Sequence, residues 1–137
     1  MANTLTPKAR GTLTKMGSLA RTDTAAKELF GLPKDALIVG IYVVGGTASD
    51  AGTTATIGIG STASANEYMT GYDVKTAATG EGYNPAGAAA VGSALCSKLT
   101  TDVPVYGIYA ESGTASNIGG PWYIKVEYYL AGPGETI

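Results

Sequence analysis

The residues that do most protein chemistry are scarce in this chain. It has no histidine, so it cannot build a Ser-His-Asp or Cys-His arrangement or an imidazole zinc site. Its single cysteine, Cys96, has no base near it in sequence, and a free cysteine is usually a small buried hydrophobe. The acids Asp50, Glu67, Asp73, Glu81, Asp102, Glu111 and Glu127 stand singly, without the short alternating spacing of a calcium loop. A glycosidase pair would need two of them to converge in space. The glycine-rich stretch 45–52 lacks the Gly-Lys-Ser/Thr of a phosphate loop. GIGSTASAN at 58–66 has no helix of adequate length after it. We therefore expect no catalytic residue, no cofactor and no metal, and a structural or binding protein rather than an enzyme.

One pattern does stand out. GIYVVGGTASD (40–50) and GIYAESGTASN (107–117) share Gly-Ile-Tyr, three variable residues, Gly-Thr-Ala-Ser and a final Asp or Asn. Gly46 and Gly113 suit positive φ where a chain leaves a strand. Thr47, Ser49, Asp50, Thr114, Ser116 and Asn117 suit Asx and Ser/Thr turns that bond loop backbone. The plainest reading is a pair of structural corners, with Tyr42 and Tyr109 sealing one end of the fold. Two facing Thr-Ala-Ser loops that hold a ligand, or that form a subunit contact, are the alternatives.

The elements that must position these loops read as β-structure. A length of 137 residues suits one domain. Twenty glycines and nine tyrosines in a chain only 15% charged favour short strands joined by turns. The pattern predicts strands at Ala36–Val44, 53–60, 66–75, 103–111 and 121–130. Ala36–Val44 is apolar on both faces, which implies cover on both sides or a subunit contact. In 53–60, Ala55, Ile57 and Ile59 share a face; the threonines and glycines opposite would let another surface come close. In 66–75, Tyr68, Thr70, Tyr72 and Val74 share a face. In 121–130, Trp122, Ile124, Val126, Tyr128 and Leu130 face the core, while Tyr123 and Tyr129 point outward as interface anchors or core-edge packing. Residues 25–32 fit a helical turn or a strand end. Residues 86–100 fit either a short helix, from Val91, Leu95 and Leu99, or a loop and then a strand at about 94–100.

Together these elements predict an all-β, jelly-roll β-sandwich of two antiparallel sheets with an extended N-terminal arm. The expected division is a basic arm at 1–24, holding a short strand within 11–20, and one sandwich domain at 25–137. Each copy of the phrase then lies at a connection that crosses between sheets. The two connections, second-to-third and penultimate-to-last, are related by an approximate twofold.

Charge is divided along the chain. Residues 1–34 carry six basic and two acidic side chains, a net of +4, and residues 35–137 carry three and nine, a net of −6. The basic leader is either a solvated arm or one that lies on an acidic neighbour, with Lys8, Arg10, Lys15 and Arg21 as contacts. Spaced cations without interleaved aromatics argue against nucleic acid. No apolar run nears the roughly 18 residues that span a bilayer. The start MANTLTPKARG shows no apolar signal segment. A lone cysteine gives no internal disulfide, which fits folding in cytosol.

The stretches LARTDTAAKELFGLPKDALIVGIYVVGGTASDAGTTATIGIG, YMTGYDVKTAATG, DVPVYGIYAESGTAS and GGPWYIKVEYY resemble small virion structural proteins of tailed bacteriophages, the head decoration or cement proteins, over about residues 18–130. The resemblance implies a jelly roll that assembles as a homodimer or homotrimer. It also implies binding to the major capsid protein on the outside of the head, bridging of neighbouring capsomers, and synthesis in the bacterial cytoplasm. No family site transfers residue by residue, because such proteins bind through surfaces. The alternative function is a head-fibre or tail module that binds a receptor or glycan, through Tyr83, Asn84, Asn117 and Trp122.

Overall fold

The computed structural model describes residues 11–76 and 98–130. The described residues form seven strands: β1 (Leu13–Leu19), β2 (Lys27–Leu32), β3 (Ala36–Val44), β4 (Thr54–Gly60), β5 (Met69–Asp73), β6 (Val103–Ser112) and β7 (Trp122–Leu130). They make two antiparallel sheets, one in the order β1-β7-β3 and one in the order β2-β6-β4-β5. The sheets enclose a core of Leu19, Leu32, Ile41, Val43, Ile57, Ile59, Met69, Tyr109, Trp122, Ile124 and Val126. The fold is a β-sandwich.

The strands form where alternation and turn chemistry agree. β7 sets Trp122, Ile124, Val126 and Tyr128 inward and pairs without a break along all of β1. Each buried side chain of this size contributes about 1.5–3 kcal/mol. Leu130, expected in the same row, is exposed because it lies at the strand end. β2 settles the ambiguity at 25–32: it is a strand on β6, ended by Pro33 and bulged between Glu28 and Phe30. Around that bulge Leu29 approaches Gly17 of β1 and Gly107 of β6. The alternation expected for 66–75 is broken by a second irregularity. β5 carries one extra residue opposite Ile57–Ile59, and Gly71 sits there at φ 70°. Tyr68, Met69 and Val74 are buried, and Thr70 is exposed.

The surface expected to approach the small residues of β4 is the chain's own 61–68 loop. A side chain at Gly58 would meet the carbonyl of Ala65, and one at Gly60 the carboxylate of Glu67. That carboxylate accepts from the N–H of Ser61 at 2.8 Å and from the Thr62 hydroxyl.

The described part of the basic arm is not a free extension. Residues 13–19 are β1, and Leu19 is fully buried. The physical reason is that β7, rich in large inward side chains, would otherwise have an open edge on that side. Lys8, Arg10, Tyr83, Asn84, Cys96 and most of the ambiguous 86–100 segment lie outside the described residues. Leu99 is described: its N–H and C=O bond Ala36 and Asp35 at the start of β3, each at 2.9 Å.

Candidate functional site

The two copies of the phrase do lie at sheet-crossing connections, β3 to β4 and β6 to β7. Their loops run side by side. Gly52 N–H bonds Thr114 C=O at 2.8 Å, Asp50 N–H bonds Ile118 C=O at 3.1 Å, and Gly120 N–H bonds Thr47 C=O at 2.8 Å. Gly46 and Gly113 have nearly equal positive φ, 88° and 83°. Ser49 and Ser116 are the buried polar residues of the described chain, at 4% and 5% exposure.

Both serines converge on the hydroxyl of Tyr109. Ser49 Oγ lies 2.7 Å from it and Ser116 Oγ 3.5 Å. Glu111 Oε2 lies 3.0 Å away and accepts from it. A phenol has one proton and a carboxylate only accepts. Tyr109 therefore donates to Glu111 and accepts from Ser49, whose oxygen accepts from Ala51 N–H at 3.2 Å. The Asp50 carboxylate takes the N–H groups of Asn117 at 2.8 Å and Ile118 at 2.9 Å. Those contacts, Ile118 first and Asn117 next, hold its carboxyl below the ordinary carboxylate range. Glu111 is likewise held down, first by the Ser116 hydroxyl and then by the Ser116 N–H and the Tyr109 hydroxyl. Arg21, expected to reach a neighbour, donates to the carbonyl of Ser116 at 2.9 Å and lies near both acids. The loop pair is thus closed by its own partners, with its donors and acceptors turned toward each other.

The strand halves of the phrase do not match. Tyr109 is fully buried and stacks on Trp122, with ring centroids 5.3 Å apart and planes 14° apart. Tyr42 lies on the outer face of its sheet, under the ammonium of Lys125 at 5.0 Å. The expectation that both tyrosines seal one end is corrected here. The two Gly-Ile-Tyr runs are in opposite phase, because Ile41 points inward and Ile108 outward. At the position where β6 continues with Ser112, the first copy has Gly45 at φ 70°. That extra left-handed residue lets out-of-phase strands deliver matching loops. Trp122, named for glycan binding, is core; its indole N–H is buried without a partner beside Gly46.

The outward residues of β7 form the other candidate. Tyr123 and Tyr129 are 42% and 41% exposed, and between them Lys125 pairs Glu127 at 3.5 Å. Register places Met16 and Tyr42 beside Lys125, Val44 beside Tyr123 and Leu37 beside Tyr129, all on the same outer face. Six of the seven exposed large hydrophobics among the described residues lie on the strands of this three-stranded sheet, with Leu13 and Leu130 at the open end of its inward row and Met16, Tyr123 and Tyr129 on the outer face. Composition hinted at this face, since β3 is apolar on both sides. The pairing that assembles it was not visible in the sequence. Lys15 lies instead at an open groove of about 590 Å³ at the opposite end from the loop pair, with Glu28, Pro33, Asp102 and Tyr128.

Comparison with known proteins gives one structural likeness. No family model matches the chain, and no curated protein matches it. Among solved structures, a chain of the capsid asymmetric unit of cyanophage Pam1 superposes with a TM-score of 0.54 at 21% identity, covering 88% of this chain and 81% of that one. At that identity the likeness is one of fold.

Proposed function

We propose that this protein is a capsid decoration or cement protein of a tailed bacteriophage. In this reading the sandwich is a jelly roll. Its strand orders, β1-β7-β3 and β2-β6-β4-β5, fill seven of the eight positions of such a roll. It is made in the bacterial cytoplasm, self-associates, and sits on the outer capsid surface. There it binds the major capsid protein and bridges neighbouring capsomers, many weak bridges adding up to a strong shell. The observation that carries the reading is the fold likeness over most of both chains to a chain from a phage capsid asymmetric unit. The acids support a non-enzymatic role: Asp50, Glu67, Asp73 and Glu111 each hold backbone N–H groups.

The test is cosedimentation of the purified protein with expanded capsids that lack it, followed by measurement of the heat resistance of the shells. Saturable binding and a raised disruption temperature are expected; no binding overturns the reading. Within it, the basic leader is tested by removing residues 2–10, which leaves β1 intact. Removal through residue 22 would take Leu19 out of the core.

A further inference from the structure

Read in reverse, the outer face of β7 is its own charge complement. Its outward residues are Tyr123, Lys125, Glu127 and Tyr129: aromatic, cation, anion, aromatic. The alternation is unbroken from Trp122 to Tyr128, since the irregularity between β3 and β7 places its extra residue, Val39, on β3. A second copy laid face to face, with its β7 antiparallel, would bring Tyr123 over Tyr129 and Lys125 over Glu127, twice. Such an isologous contact needs a patch complementary to itself, and this is one. Two copies laid in parallel would stack lysine on lysine and glutamate on glutamate.

We propose that the three-stranded sheets of two copies pack face to face about a twofold axis level with Val126, giving a homodimer. The proposal rests on the self-association part of the decoration reading and gives it a face. The flanking strands add apolar cover. Met16 is 54% and Val39 43% exposed on this sheet, and Leu37, Tyr42 and Val44 are half-buried beside β7. The four-stranded sheet has no exposed large hydrophobic among its described residues. Three strands at about 4.8 Å spacing make a small interface, so the dimer is reversible and concentration-dependent.

Sedimentation equilibrium of the full chain without capsids tests this. Wild type is expected to pass from monomer to dimer as concentration rises. K125E alone, and E127K alone, place like charges opposite each other and weaken association by about tenfold or more. An equimolar mixture of the K125E and E127K chains restores complementarity and is expected to form dimers. So is the doubly exchanged K125E/E127K chain. Trp122 fluorescence reports that each variant remains folded. Single variants that dimerise like wild type, a mixture that stays monomeric, or a wild-type trimer would each overturn the proposal. Capsid binding by a monomer would overturn the dimer and leave the decoration reading standing. A dimer that ignores capsids would do the reverse.

Discussion

The first copy of the phrase and the second share seven of their first ten letters and differ in what their strands do with them. In the second, Gly107 makes room for core side chains: a methyl there would meet Leu29, Leu19 and Ile59 at 3.0–3.5 Å. Tyr109, two residues on, fills the core and carries the buried hydroxyl network. In the first, Gly40 makes room for the ring of Tyr42, whose hydroxyl would lie 2.7 Å from an added methyl, and that ring lies outside. Past the strands the copies converge again on equivalent glycines, serines and backbone bonds. The lesson is that a repeated phrase can be one structural device in its loop and two unrelated ones in its strand. A shift of one residue reverses every side chain of a strand, whereas a loop held by hydroxyl and backbone bonds has no such alternation.

The comparison predicts its own asymmetry. The largest effect is expected from Tyr109→Ala, which empties a fully buried, stacked position and costs about 3–5 kcal/mol. Tyr42→Ala, on the outer face, should cost under about 1 kcal/mol. Urea unfolding of both variants measures the difference, and equal losses would mean the copies are equivalent after all. Next come the glycines. Gly46→Ala and Gly113→Ala should both exceed the roughly 1–2 kcal/mol that a left-handed non-glycine residue costs. Their new methyls would also meet Pro121 C=O at 2.6 Å and Thr53 Oγ1 at 2.5 Å. Gly45→Ala meets nothing nearer than Tyr123 at 3.7 Å and should cost only the backbone penalty. A Gly45 variant as damaging as Gly46 would break the account of how the phase difference is absorbed. Tyr109→Phe keeps the stacking and removes the hydroxyl shared by Ser49 and Glu111, a loss of about 1 kcal/mol.

The smallest expected effect is a pH dependence. Asp50 and Glu111 have folded-state pKa values lowered by the groups that bond them. A lowered folded pKa stabilises the fold above the ordinary carboxylate value and loses that contribution as pH falls through the folded one. Stability should therefore decline as pH drops below about 4. Asp50→Asn, which gives the first loop the amide the second already has at Asn117, should flatten that decline. An unchanged slope in this variant would remove Asp50 as a contributor.

Much of the scaffold was legible in the sequence. Ala36–Val44 was readable to the residue, and 103–111 and 121–130 to within one, because an apolar β-branched run and period-two alternation, bounded by Pro, Gly and Asp, are local signals. The left-handed glycines at 46 and 113 were legible for the same reason, because backbone sterics act within a residue. That Ser49, Asp50 and Ser116 bond loop groups was legible too. Yet Tyr109, Asn117 and Ile118, which partner Ser49 and Asp50, lie 60–68 residues away, in or beside the other copy, and only the fold supplies them. Only the tertiary structure decided which side turns inward where a strand carries apolar residues on both faces, as β3 and β6 do, since that depends on the cover a distant strand supplies. It put Tyr109 inside and Tyr42 out, made β1 of the expected arm, tied Arg21 to the loop of residue 116, and laid the chain's own loop over Gly58 and Gly60. It also set β7 between β1 and β3, leaving a row of alternating side chains exposed as a single self-complementary face.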